Sequence, residues 1–172
     1  LIAGYSGGKI DEIIMRLMDS LMSFPSLLLA LLILTTLSSS IWNAIIAVGI
    51  AYFPRIARVV RSATISVKNE QYVTAAEARG ESSVSIMFKE ILPNITSPIV
   101  VEGTIRIGFA MLIGSSLSFL GLGAQPPTPD WGYMVAQARV YTYDSMWFLL
   151  WPALALGITV TGFNLLGDGL RD

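Results

Sequence analysis

Glu102 and Arg106 are the residues whose types and spacing come closest to a chemical site in this chain. They lie four positions apart inside an apolar run, the separation at which a carboxylate and a guanidinium meet on one helix face. A charge inside such a run is by default functional and faces a bundle interior or a cavity. Mutual pairing also satisfies both groups, and Arg106 can extend its stem toward a nearby interface. Substrate contact and plain charge pairing therefore both fit this pair. Arg16 and Asp19, at the entry to the first apolar run, read as structural. Catalysis has little else to work with. The chain has no cysteine and no histidine, which removes disulfides, thiolates, His-ligated metals and His-based triads. Ser115, Ser116 and Ser118 have no base to activate them, and with Gly108 and Gly114 they form a stripe suited to close helix packing. A phosphate-binding loop needs Gly, four residues, then Gly-Lys-Ser/Thr. Gly8-Lys9 is the nearest approach, but Ala3 and Ile10 occupy the first glycine and hydroxyl positions. No catalytic residue, metal ligand or cofactor of its own is expected.

The elements that carry these residues are set by hydropathy. Apolar residues make up 53% of the chain and charged residues 13%, and mean hydropathy is +0.65, values of a membrane protein. Ile13, Ile14, Leu17, Met18, Leu21 and Met22 follow helical spacing in an amphipathic segment from Asp11 to Ser23. Apolar runs then extend from Phe24 to Leu37, Ile41 to Phe53, about Ser97 to Leu122, and about Met146 to Leu166. Pro25 and Pro54 mark kinks or ends. The serines Ser38–Ser40 divide the first two runs into a hairpin. That arrangement puts Lys9, Arg16, Arg55, Arg58, Arg61, Lys68, Arg79, Lys89 and Arg171 on one side, with Arg139 alone opposite. This asymmetry predicts four spans in an all-α polytopic bundle, a single domain over residues 1–172. The basic connection of about residues 55–95 and the C-terminus then face the cytoplasm. The chain opens on Leu1 with no basic stretch leading into an apolar run, which reads as a fragment rather than a cleaved signal.

The basic connection has legible mechanics. Val73 to Arg79 is alanine-rich and predicts a short helix ended by Gly80 in the left-handed conformation. Ser82 or Ser83 caps a second helix that stops at Pro93. Helix, glycine, helix makes an elbow. Ala75, Ala76 and Ala78 on its first arm leave room for a partner's groove to close on it. An ordinary amphipathic connection between membrane helices is the plainer reading of the same alanines.

The segment Thr74-Ala75-Ala76-Glu77-Ala78-Arg79-Gly80, with Leu92-Pro93 a dozen residues on, resembles the loop by which membrane subunits of ATP-binding-cassette (ABC) importers grip their ATPase. Thr74 stands where that family usually has glutamate. A second stretch, Ser116-Leu117-Ser118-Phe119-Leu120-Gly121-Leu122-Gly123-Ala124-Gln125-Pro126-Pro127-Thr128-Pro129-Asp130-Trp131-Gly132, is similar to the segment after the fifth helix of the C-type subunit of dipeptide and oligopeptide permeases. Gly4-Tyr5 with Gly7-Gly8, Phe24-Pro25-Ser26 and the ending Gly162 to Asp172 extend the likeness to essentially the whole chain.

The resemblance implies a membrane subunit of a binding-protein-dependent importer in a bacterial or archaeal cytoplasmic membrane. Its implied cargo is di- or oligopeptides, with nickel complexes carried by close relatives. Its implied partners are a related permease subunit in a heterodimer, cytoplasmic ABC ATPase subunits that bind Mg-ATP, an extracytoplasmic substrate-binding protein and membrane lipid, with no nucleic acid. Thr74, Ala75, Ala76, Glu77, Ala78, Gly80, Leu92 and Pro93 would form the ATPase-coupling loop. Two helices would precede Leu1. On the outer side, Phe119, Gly121, Gly123, Gln125, Pro126, Pro127 and Trp131 suit a gate or a binding-protein contact, and equally an interfacial turn anchored by Trp131 and Tyr133. Asp130, Arg139 and Asp144 face that partner or water. The contrasting class is a membrane scaffold that holds some other cytosolic protein through its basic loop. A generic lipid-binding patch, however, would be denser in Lys and Arg and would not need the Ala-Ala-x-x-x-Gly spacing.

Overall fold

A computed structural model describes residues 1–169, and every regular element among them is helical. The short α1 (Ile2–Ser6) turns at Gly7, φ 65°, into the amphipathic α2 (Gly8–Met22). Pro25 then sits at the N-cap of α3 (Ser26–Thr36), which leaves α2 at 89°. Proline there has no N–H for a helix to miss, and it bars α2 from continuing. The turn at Leu37–Ser40 reverses the chain. Ser40 accepts the backbone N–H of Trp42 at 3.3 Å, and Asn43 donates to the Ser38 carbonyl at 2.6 Å. The serines therefore break the apolar stretch by capping α4 (Ile41–Lys68).

Among the described residues, three helices are long and apolar enough to cross a membrane: α4, α8 (Thr96–Phe119) and α10 (Trp147–Gly169). A fourth of the expected spans would follow only if α2 and α3 were counted as one, and they meet at 89°. Alone, the 11 residues of α3 reach only about 16 Å, half of the ~30 Å hydrocarbon core. The hairpin read from Phe24–Phe53 is therefore unequal, with a short first limb and a second that runs through Pro54 to Lys68. Arg55, Arg58, Arg61 and Lys68 are the final turns of that helix, and the non-helical connection starts at Asn69.

The long helices pack in sequence, α3 on α4, α4 on α8 and α8 on α10, with α9 (Trp131–Ala138) against α8 and α10. Ala30, Leu34, Ala44, Ala47, Val48, Tyr52 and Leu117 form the buried core of the first three. Lipid is as apolar as leucine, so helices associate there through close van der Waals packing, and alanines at the α3–α4 contact let the backbones approach. Trp42, Phe148 and Ile158 are largely exposed, the expected lipid-facing residues of such a bundle. Asp11 joins Arg61 through two hydrogen bonds and Asp19 joins Arg58 at 2.7 Å, pinning α2 along the basic end of α4. Arg16 instead pairs with Glu12 on its own helix.

Candidate functional site

The elbow is built by backbone chemistry. In α5 (Gln71–Ala78) the alanines favour helix and outweigh the β-branched pair Val73-Thr74. Gly80, at φ 78°, ends it. Its N–H bonds the Glu77 carbonyl at 2.9 Å, and the next N–H, of Glu81, reaches back to Ala76. This doubly bonded stop satisfies carbonyls that a helix end leaves bare. Ser82 then caps the second arm, its hydroxyl accepting from the Ser85 N–H at 3.3 Å. Arg79 lies between the arms, 2.7 Å from Glu81 and 3.7 Å from Glu90. The guanidinium of Arg79 holds the Glu81 carboxyl below the usual carboxylate range, with Ser85 adding a hydrogen bond.

The second arm is α6 (Ser83–Ser85), a π-helical stretch at Ile86–Ile91, and α7 (Leu92–Asn94). Pro93 cannot donate to the ladder and its ring would crowd the carbonyl four residues earlier, and the wider π turn comes just before it. Pro93 was expected to stop the arm, but helix continues to Asn94 and breaks at Ile95. The helix from Thr96 begins at once.

Packing sorts the coupling residues into two groups. Val73, Ala76, Ile86, Ile91 and Ile95 are buried together, with Val60, Ala63 and Val67 of α4 and Tyr5 of α1 packed around them. Ala76 is therefore inside the elbow and cannot present itself to a partner's groove. The sequence pattern showed small residues but not which of them the second arm would cover. Gln71, Thr74, Ala75 and Ala78 share the exposed face of α5, with Glu77 beside them accepting a hydrogen bond from the Tyr5 hydroxyl at 3.3 Å. Leu92 is half-buried and Pro93 exposed. Val73 and Ile86, which the coupling motif does not include, hold the arms together. Their apolar spacing was the available signal.

α8 joins this elbow to the second candidate region. Its 24 residues span about 36 Å, from Thr96 beside the elbow to Phe119 at the opposite end. There Gly121, at φ 79°, turns the chain. A Cβ on Gly123 would come within 2.0 Å of the Ser118 hydroxyl, and one on Gly132 within 2.1 Å of the Ser115 carbonyl oxygen. The chain thus folds back tightly onto α8. Asp130, read as facing a partner or water, has a local role as well: its carboxylate caps α9, accepting the Tyr133 N–H at 2.9 Å. Arg139 lies over the Phe119 ring, 5.7 Å from its centroid. Gln125, Pro126 and Pro127 stay exposed, and Trp131 partly so. A mostly apolar cleft of about 400 Å³ opens between α3, α8, α9 and α10, with Ser115, Ser116 and Phe119 on its wall.

The small-residue stripe divides. Gly108 takes the Asn164 side chain of α10, Ser118 packs on Gly123, and Gly114 meets nothing. Glu102 and Arg106 do pair, Nε to Oε1 at 2.6 Å, with the guanidinium also over Phe109. No group of three or more His, Cys, Asp or Glu side chains able to hold a metal occurs among the described residues.

Residues 1–172 match the family described as binding-protein-dependent transport system inner membrane component. The chain belongs to that family. Similar curated relatives include the dipeptide transport system permease protein DppC of Alkalihalophilus pseudofirmus, 45% identical over all 172 residues and 57% of that protein's length. The glutathione transport system permease protein GsiD of Escherichia coli is 48% identical over 168 residues, 98% of this chain and 55% of its own length. The di/tripeptide transport system permease protein DppC of Pseudomonas aeruginosa is 42% identical over 172 residues, again 57% of its length. The chain thus spans a little over half the length of these relatives. This family member is helical, with three to four candidate membrane spans among its described residues.

Proposed function

We propose that the chain is part of the transmembrane subunit of a binding-protein-dependent importer for di- and oligopeptides. ATP hydrolysis is done by a separate ABC subunit that binds Mg-ATP, so the chain is not itself an enzyme. The supporting observation is mechanical. One uninterrupted helix, α8, links the elbow at Gly80 to the glycine-rich turn at Gly121. The exposed Thr74, Ala75 and Ala78 face, extended by Leu92-Pro93, seats in the ATPase. Closure of the ATPase on ATP pushes this face, and α8 carries the movement to the opposite membrane side, where the Phe119–Trp131 segment gates the path or meets the binding protein. This is coupling between two sites through a shared two-state element.

Peptide cargo is favoured over nickel complexes by the relatives named for dipeptide, glutathione and di/tripeptide transport. A related permease subunit completes the path as a heterodimer. The elbow and the C-terminus are placed in the cytoplasm, which the basic residues at the end of α4 and in the elbow support. Arg171 of that asymmetry lies outside the described residues. The test is binding-protein-stimulated ATPase activity of the reconstituted complex carrying Ala75→Trp. Stimulation should be lost and ATPase pull-down weakened. Unchanged stimulation and retention would favour a scaffold that uses this face for another partner.

A further inference from the structure

An open cleft of about 410 Å³ lies between α2, α4 and α8, away from the elbow's exposed face and from the Phe119–Trp131 segment. Three guanidiniums line it, from Arg55, Arg58 and Arg106, against one carboxylate, Glu102. Arg106 is committed to Glu102, and Arg58 to Asp19 at 2.7 Å. Arg55 differs. Among the described residues its partners are the Ser26 hydroxyl at 2.6 Å and the face of Tyr52, and it has no carboxylate. A guanidinium carries five N–H donors, so a half-buried one with a single hydroxyl partner keeps most of its capacity for an anion.

The site's depth suggests which anion. α2 is amphipathic and leaves α3 at 89°, so it runs across the end of the span while the cleft opens beside it. Such a helix lies in the headgroup plane. Phe109, exposed one turn deeper on α8 and stacked under Arg106, gives an acyl chain an apolar surface next to the cationic wall. Basic pockets between transmembrane helices on the cytoplasmic side collect anionic headgroups.

We infer that this cleft holds the phosphate of an anionic phospholipid headgroup, bound by Arg55 and flanked by Arg58 and Arg106. The inference rests on the orientation proposed above. The assembled full-length complex, purified with defined lipids, is examined by native mass spectrometry with phosphatidylglycerol or phosphatidylcholine, and with glycerol phosphate or a dipeptide as competitor. Phosphatidylglycerol should stay bound and phosphatidylcholine should not. R55Q should weaken retention about fivefold, the effect of one basic residue at an anionic surface, and R55K should restore most of it. R55Q leaves no acidic partner stranded, because Arg55 pairs with a hydroxyl. Equal retention of both lipids, or retention unchanged in R55Q, overturns the proposal. So does displacement of the lipid by glycerol phosphate or dipeptide, which would make this a site for soluble anions. Cysteine accessibility reports the orientation separately, so a failure of lipid selectivity with the expected labelling sinks this inference alone.

Discussion

The backbone N–H of Glu81 bonds the Ala76 carbonyl at 3.2 Å across Gly80, and Leu122 bonds Leu117 at 2.9 Å across Gly121 in the same way. One glycine-centred stop therefore appears twice, once in the elbow beside the start of α8 and once at its far end. Both glycines have positive φ, and neither has an atom within 4 Å of where a Cβ would sit. Backbone strain alone is the obstacle to a side chain at either place.

Gly80→Val should cost about 1–3 kcal/mol of elbow stability through that strain. The apolar spans are unchanged, so membrane insertion should be normal while binding-protein-stimulated ATPase activity falls. Insertion is read by fractionation and stimulation by phosphate release. Wild-type stimulation would show that the elbow tolerates a changed exit.

Ala75→Trp and Ala76→Asp should fail for different reasons. Ala75 is exposed, so the tryptophan should leave the elbow folded and disturb only its seat in the ATPase. Ala76 is buried among Val73, Ile86 and Ile91, where an unpaired charge costs several kcal/mol. Limited proteolysis should cut the Ala76→Asp elbow faster and leave Ala75→Trp at the wild-type rate. Equal protection of both would mean that Ala76 is not sealed by the second arm.

Acid should loosen the elbow through Glu81. Arg79 lowers this carboxyl's folded value, so its stabilising effect is complete above the unfolded value of about 4.3 and is lost as pH falls through the lower folded one. Hydrogen exchange in residues 76–86 should be flat from pH 7 to about pH 5, after correction for intrinsic rates, and should rise below about pH 4. Glu81→Gln should remove the part of this rise that comes from Glu81. An identical acid response in that variant would assign it elsewhere.

Membrane-impermeant thiol labelling in intact cells checks the orientation, since the chain contributes no cysteine of its own. Cysteine at Gln125 or Asp144 should label from outside, and cysteine at Ala78 or Arg58 should label only after lysis. The opposite pattern would invert the topology.

Gly132→Val should destabilise the contact of α9 with α8 by about 1–3 kcal/mol or more, because its Cβ meets Ser115 backbone rather than a movable side chain. A lower thermal midpoint of the purified complex is the expected reading. An unchanged midpoint would show that α9 can lift away at little cost.

Where local chemistry decides, the sequence was legible. The glycine stop at Gly80, the Ser82 cap, the serine break before Ile41 and the Glu102–Arg106 pair each depend on neighbours within a few positions. Features set by distant partners were not. Ala76 looks like Ala75 until Ile86 and Ile91 fold over it. Asp19 and Arg16 look alike as interfacial charges until Arg58 claims one and Glu12 the other. Asp130 read as a surface charge because its role depends on where α9 begins. Pro25 marked a kink or an end, but the right angle between α2 and α3 depends on how α2 is pinned along α4 and was not legible.

The knot of Val73, Ala76, Ile86, Ile91 and Ile95 also has a mechanical consequence. It is glued on one side to Val60, Ala63 and Val67 of α4, and on the other it leads directly into α8. A thrust delivered to the outer face of α5 is therefore shared between two neighbouring rods. They would tilt in concert, and the elbow works as a yoke rather than a crank on a single shaft.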